Sequence, residues 1–300
     1  MNRCVALIAA IFLTLACDAN AWWNEAWAYR KPLTMDTTVS GADLQAPARD
    51  VPLLVRLHTG NFSYFLDVLA EGADVRFMAG DDITPLKFHF ERFDPINQMA
   101  LAWVKFPLLN AASKNDKGWI YYGNAEAVAS QDAAGTYDAD MALVYHFDEP
   151  RSATDKTAYG NHTASLTAEY VTASLIGGGL KLSGQPAFSV APSPSLRFDP
   201  EIGMTFSAWV KIDAPQTDSV LLNYGDGVQS IALAIDGTGA YARFTAATGT
   251  LIETPRSATV TAGAWQHIAL IAGKGRLAVL INGIEAAAVD APLVPIAGGL

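Results

Sequence analysis

From Thr205 to Gly283 and a few residues beyond, the chain reads TFSAWVKI (205–212), VLLNYGDG (220–227), SIALAID (230–236), YARFTA (241–246), WQHIALIA (265–272) and LAVLINGIEAAAV (277–289). Each piece is short and alternates apolar with polar residues, and Gly, Asn or Asp marks the breaks. This is the period of strands with one face buried. Two pieces carry a Trp, and the last turns at Asn282-Gly283, the dipeptide favoured in tight hairpins. The stretch predicts antiparallel strands packed on a second sheet. Trp209 and Trp265 are expected in the core of that sandwich.

Bulk properties limit what surrounds these strands. Three hundred residues suit one large or two ordinary domains. A chain that is 51% hydrophobic and 17% charged can bury sizeable cores. The formal net charge of −10 argues against a nucleic-acid partner and against an anionic membrane surface.

The opening residues read as a secretory leader. Arg3 gives the positive start, residues 4–17 (CVALIAAIFLTLAC) the apolar core, and Ala19-Asn20-Ala21 a small-x-small cleavage site. The expectation is export to the periplasm or cell envelope with cleavage after Ala21. A competing reading lipidates Cys17, because Leu15-Ala16-Cys17 partly matches a lipoprotein signal. Both cysteines, Cys4 and Cys17, lie in the leader, so the remainder has no disulfide, thiol nucleophile or thiolate metal site. No later stretch is apolar enough for a spanning helix, since Lys274 and Arg276 interrupt the run around 268–284.

After the leader (1–21) two blocks follow. The first, 22–132, reads as strands RKPLTMDTTV, DVPLLVRLHT, DVRFMAG, PLKFHFERF, ALAWVKFPLL and GWIYYGN. Residues 61–69 (NFSYFLDVL) read as a short helix or an aromatic loop, and Gly80-Asp81-Asp82 as a turn. An Ala-rich acidic junction is expected at 133–140. The second block, 141–300, opens with ALVYHFDE as its first strand and continues through a polar loop at 150–163.

The first block resembles a bacterial envelope domain of unknown function. The residues that carry the likeness are Trp27-Ala28-Tyr29-Arg30-Lys31-Pro32, the strand VPLLVRL (51–57), Asp74-Val75-Arg76-Phe77, Trp103-Val104-Lys105 and Tyr121-Tyr122-Gly123-Asn124. Members of that family often precede lectin-like domains, and some precede proton-channel domains of the MotA/TolQ/ExbB type. Arg30 and Lys31 are expected to pair with acids such as Asp74.

The second block resembles a laminin-G-like or concanavalin A-like lectin domain. The likeness rests on Tyr145-His146-Phe147-Asp148-Glu149, Asp155, Gly160-Asn161, Gly177-Gly178-Gly179-Leu180-Lys181-Leu182, Thr205 to Lys211, Trp265 to Ala269 and Ile281-Asn282-Gly283. It implies a jelly roll of two curved antiparallel sheets. The expected fold is therefore all-β, with two β-sandwich domains. The family usually closes with an Ile-Asp-Glu-x-Arg strand beside its first strand. This sequence stops at Ile296-Ala297-Gly298-Gly299-Leu300, so a fragment without its closing strand is expected. Relatives sometimes hold calcium at the sandwich rim, and the resemblance offers Asp148, Asp155 and Asn161 as ligands; no cofactor is required.

Catalytic signatures are lacking in the sequence. The five histidines show no HExxH spacing, and His267 reads as structural. His89 and Glu91 share one strand face and read as solvated. Asp81/Asp82, Asp138/Asp140 and Asp148/Glu149 are the carboxylate pairs to weigh for glycoside hydrolysis. Adjacent strand residues point to opposite faces, which counts against Asp148/Glu149. Gly177–Gly179 precedes a strand rather than a helix and reads as a turn. Trp22 and Trp23 are the candidate ligand-binding aromatics.

The sequence thus predicts a non-catalytic secreted or periplasmic binding protein that recognises a glycan, peptide or surface polymer, with a glycan, a peptide or an envelope protein as its partner. One alternative is the periplasmic sensing region of a MotA/TolQ/ExbB-type transport component, working with ExbB/ExbD/TonB-like partners. The other is a sandwich-fold glycosidase or lyase.

Overall fold

The computed structural model describes residues 22–150, 152–163, 166–184, 187–257 and 260–300. The leader and Cys17 therefore lie outside the described residues. In chain order the strands are β1 (Tyr29–Thr34), β2 (Ala48–His58), β3 (Arg76–Ala79), β4 (Phe88–Asp94), β5 (Met99–Leu109) and β6 (Lys117–Tyr122). A four-residue helix, α1 (Ala133–Thr136), follows, then β7 (Glu169–Val171), β8 (Gly179–Lys181), β9 (Met204–Val210) and β10 (Gln216–Gly225). The chain continues with β11 (Ser230–Gly237), β12 (Gly239–Thr245), β13 (Leu251–Glu253), β14 (Gln266–Gly273), β15 (Arg276–Ile281) and β16 (Ile284–Asp290). The expected all-β class holds.

Two compact units form. One holds the described residues up to Ala48 together with Asp67–Leu86 and Leu109–Ser130; the other holds Arg49–Leu66, Lys87–Leu108 and Gln131–Leu300. The first is built on the antiparallel sheet β1-β6-β3. Its core sets Trp27, Met78 and Tyr121 together, with Trp23 and Trp119 against them.

Asp74 is fully buried there and acts as a backbone acceptor. One carboxylate oxygen takes the Leu69 N–H at 2.8 Å, and the other takes Gly123 at 2.6 Å and Asn124 at 3.3 Å. The expected Arg30–Asp74 pair is not formed. Arg30 instead pairs with buried Asp82 and lies between Trp22 and Trp119, with ring centroids at 4.7 and 4.3 Å. The Asp74 oxygens are directed at the loop amides instead.

The second unit contains the sheet β2-β5-β4 and, further along, two four-stranded sheets, β10-β11-β12-β13 and β16-β15-β14-β9. The latter pair shares one core. Leu222, Tyr224, Ile231, Leu233, Ile235 and Phe244 from the first meet Ile268, Leu270, Leu277 and Val279 from the second. Each buried aliphatic side chain of this kind contributes about 1.5–3 kcal/mol. The Asn282-Gly283 hairpin forms as read, with both residues at positive φ (51° and 80°) and Ile281 opposite Ile284.

Two element-level expectations change. First, residues 142–148 form no strand. The segment is held instead by single bonds, Val144 N–H to Asp155 Oδ1 (3.0 Å) and Lys156 N–H to the Val144 carbonyl (3.0 Å), and Phe147 has φ 53°. Second, Trp209 is not core: it is 47% exposed, and Trp265 is half-buried. In β9 the inward positions are Met204, Phe206, Ala208 and Val210, so the two-residue period sends Trp209 outward with Thr205 and Ser207. Of the two readings of residues 61–69, the aromatic loop forms, burying Phe62 and Phe65.

Candidate functional site

At one end of β10-β11-β12 a cleft of about 480 Å³ opens. The β10–β11 turn makes one wall. Asp226 Oδ1 accepts the N–H groups of Val228 (2.9 Å) and Gln229 (2.8 Å), and Gly227 supplies the positive φ of 88° that the turn needs. The opposite wall comes from the chain's last residues. Gly225 and Gly299 exchange N–H···O bonds at 3.0 Å, and Val190 and Leu300 do the same at 2.7 and 3.1 Å. Gly298 and Gly299 permit this approach, since a Cβ on Gly299 would sit 2.3 Å from the Val190 carbonyl.

The cleft's side chains follow from strand alternation. Leu222 and Tyr224 point into the core, so Asn223 points out, and Ser230 and Thr245 stand directly opposite each other on β11 and β12. Asn223, Gln229, Ser230 and Thr245 supply amides and hydroxyls, and Val190, Pro192 and Val228 supply apolar surface. None of the lining side chains is ionisable. Such a surface can bond and pack against an uncharged polyol, and its side chains include no carboxyl, imidazole or amine.

A second cluster is buried in the same unit. His89 and Glu91 of β4 are 4% and 8% exposed, which overturns the solvated reading. β4 bulges at Glu91, because Phe90 pairs with Ala102 while Arg92 pairs with Leu101. Over this face lie Tyr137 and His146, brought from the segment that follows α1. His89 Nε2 is 3.0 Å from the Tyr137 hydroxyl, which is 2.9 Å from His146 Nε2. His146 Nδ1 is 3.4 Å from Glu91 Oε2, which also accepts the Trp103 indole N–H at 2.8 Å. The indole and His146 rings stack at 5.1 Å. Glu91 Oε1 is buried with no hydrogen-bond partner, and Gly177 packs on it so closely that a Cβ would lie 2.1 Å away.

Burial sets the charge state of the cluster. It pushes Glu91 up to about 7 against the opposing Trp103 bond, with a further push from Asp148. It pushes His146 down to about 3, helped by His89 and Lys156, and His89 down to about 4 against a Phe90 backbone bond. Tyr137 is raised, first by burial and then by Glu91. The Glu91–His146 approach is therefore not an ion pair near pH 7, because His146 is neutral there while Glu91 is passing between its neutral and ionised forms.

The candidate ligand residues are placed as follows. Trp22 and Trp23 belong to the first unit and pack edge-on against Tyr121 at 5.5 and 5.7 Å. The Trp22 indole donates to the Trp27 carbonyl, and the Trp23 backbone N–H donates to the Tyr121 hydroxyl. Trp22 is 37% exposed. Asp155 and Asn161 come together in a buried loop staple. Asp155 accepts from Val144, Thr157 and Asn161, and Asn161 bonds the Ala142 carbonyl, Ser193 and Ser195. Asp148 pairs instead with Lys156 at 2.9 Å.

Among the described residues, no group of three or more His, Cys, Asp or Glu side chains could hold a metal ion. Lys156 also reaches Glu149, at 3.6 Å. Asp148 and Glu149 thus approach one cation rather than pointing to opposite faces, because the segment is not a strand. Asp81 caps its own turn, and Asp138 caps the amides of Asp140 and Met141.

Comparison with known proteins places a domain of unknown function (DUF2341) at residues 71–167 and a domain of the concanavalin A-like lectin/glucanases superfamily at 183–299. The opening motif Trp27–Pro32 lies outside the first match, which extends through Tyr145–Asn161. No curated protein sequence matches the chain.

Among solved structures, the binding domain of Paraclostridial Mosquitocidal Protein 1 is 14% identical, with a TM-score of 0.42 over 54% of this chain and 44% of that one. Domains LG4-5 of the mouse laminin alpha1 chain are 10% identical, with a TM-score of 0.27 over 89% of this chain and 79% of theirs. The enzymatically active domain of bacteriophage CBA120 tailspike protein 2 is 21% identical, with a TM-score of 0.31 over 43% of this chain and 22% of that one. The chain thus spans less than half the length of the mosquitocidal domain and under a quarter of the tailspike. With TM-scores below 0.5, these likenesses carry no further argument. No helix among the described residues is long and apolar enough to cross a membrane.

Proposed function

From a chain that carries a DUF2341 domain followed by a concanavalin A-like domain, we infer a non-catalytic binding protein of the cell envelope that holds an uncharged glycan in the β10-β11-β12 cleft. The observation that carries this reading is the cleft's lining of amides, hydroxyls and apolar surface without an ionisable side chain. Sugar hydroxyls need paired donors and acceptors, which Asn223, Gln229, Ser230 and Thr245 offer, while the C–H faces of a sugar ring pack on Val190, Pro192 and Val228. The same lining argues against turnover, since glycoside hydrolysis needs two carboxyl groups flanking the bond. The leader-like residues 1–21 support export.

The test is a glycan array probed with the full chain and with Asn223→Ala and Thr245→Val. Neutral glycans should bind, and both substitutions should weaken them about fivefold or more, the equivalent of one lost hydrogen bond. Preference for acidic glycans, or undiminished binding by both variants, contradicts the reading.

A further inference from the structure

The buried His89–Tyr137–His146–Glu91 cluster has no part in the cleft, and its hydrogen-bond chemistry constrains it tightly. A Tyr hydroxyl has one proton. It can donate to one of the two imidazoles at 3.0 and 2.9 Å and must accept from the other. Two arrangements satisfy the chain, and they run in opposite directions.

When Glu91 is neutral, its proton belongs on Oε2. On Oε1 it would face Gly177 with no acceptor, a costly state for a buried hydroxyl. From Oε2 it is directed to His146 Nδ1. His146 then carries its proton on Nε2 and donates to Tyr137, which donates to His89 Nε2, leaving the His89 proton on Nδ1. When Glu91 is ionised, Oε2 must accept. His146 then carries its proton on Nδ1, Tyr137 donates to His146 Nε2, and His89 donates from Nε2 to Tyr137. The first arrangement holds four protons and the second three, so exactly one is released to solvent while both imidazoles stay neutral.

We propose that this cluster is a one-proton switch, in which loss of the Glu91 proton reverses every hydrogen bond from His146 to His89. A fully bonded His146–Tyr137–His89 chain requires the reversal, although the His89 bond to the Phe90 backbone is kept in only one of the two states, and burial sets where it occurs. The Glu91 carboxyl is held up near neutral pH, while both imidazoles are held down, so they exchange tautomers instead of gaining charge. Besides these groups, Asp148 and Lys156 act on the cluster as an ion pair at 2.9 Å, and Asp155 acts on Tyr137. The switch joins β4 to the segment that follows α1. A change in its bonds therefore alters how that segment is held at neutral pH.

Nitrogen-15 spectra of histidine-labelled full chain, recorded between about pH 5.5 and 8.5, test the proposal. The expected result is that the pyrrole-type and pyridine-type nitrogens of His146 and His89 exchange roles together, with a midpoint of about 7. In Tyr137→Phe, His146 should still respond while His89 no longer follows. In Glu91→Gln, neither should change. The proposal is overturned if His89 keeps one tautomer across the wild-type transition, if His146 carries its Nδ1 proton on both sides, or if either ring becomes cationic there. The wild-type series decides the matter even if a variant fails to fold.

Discussion

Glu91→Gln should change the pH dependence of stability in a defined direction. The carboxyl has a value of about 7 in the folded protein, against an ordinary 4.5. Its folded value is raised, so the folded state binds more protons than the unfolded state between those limits, and stability falls as pH rises through the window. The cost is absent below pH 4.5 and complete above about 7. At roughly 1.4 kcal/mol per pH unit it amounts to about 3 kcal/mol. Glutamine keeps the shape and removes the ionisation, but its amide leaves a buried donor or displaces an acceptor, a pH-independent loss of about 1–3 kcal/mol.

The absolute effect at one pH is therefore ambiguous, and the change across pH is not. Urea unfolding should find the variant less stable than wild type near pH 4.5, then gaining about 3 kcal/mol on it by about pH 8. His89 and His146 act with the opposite sign. Their lowered values destabilise the fold as pH falls below 6.5, and they do so in both proteins, so the difference isolates Glu91. A wild-type-minus-variant difference that stays flat across this range would refute the assignment of a buried, proton-holding Glu91.

Further outcomes follow from the packing. Asp74→Ala deprives the amides of Leu69, Gly123 and Asn124 of their acceptor and should cost about 3 kcal/mol or more by chemical denaturation. Tyr224→Phe removes a hydroxyl that accepts from Phe198 at 3.0 Å and lies 2.7 Å from the carbonyls of Leu196 and Ile296; a loss of about 1–3 kcal/mol is expected in the same assay. Leu270→Ala should cost about 2–5 kcal/mol, whereas Trp209→Ala, at a half-exposed position, should cost clearly less. A larger loss for Trp209→Ala would mean that β9 is turned the other way.

Alternation made most strands legible, including the six of the first block, and Asn282-Gly283 marked its hairpin. The errors have physical causes. His89 and Glu91 alternate with Phe88 and Phe90, which looks like a wet strand face. The face is dry because Tyr137, 48 residues on, and His146 cover it, and local pattern carries no information about that distance. Period two did hold the correct answer for Trp209, since Met204 and Phe206 fix the inward set. The usual preference of Trp for cores points the other way. The cleft was not legible at all. It depends on Gly225 meeting Gly299, a backbone pairing with no side-chain signature, although outward Asn223 between inward Leu222 and Tyr224 is a signal that could have been read.

The central claim, an uncharged glycan in the β10-β11-β12 cleft, is tested most directly by titration calorimetry of the strongest neutral array ligand at about 0.05 and about 0.5 M salt. The account predicts an affinity that does not change with salt and that falls about fivefold or more in Asn223→Ala. An affinity that collapses at high salt, or that Asn223→Ala leaves intact, would contradict it.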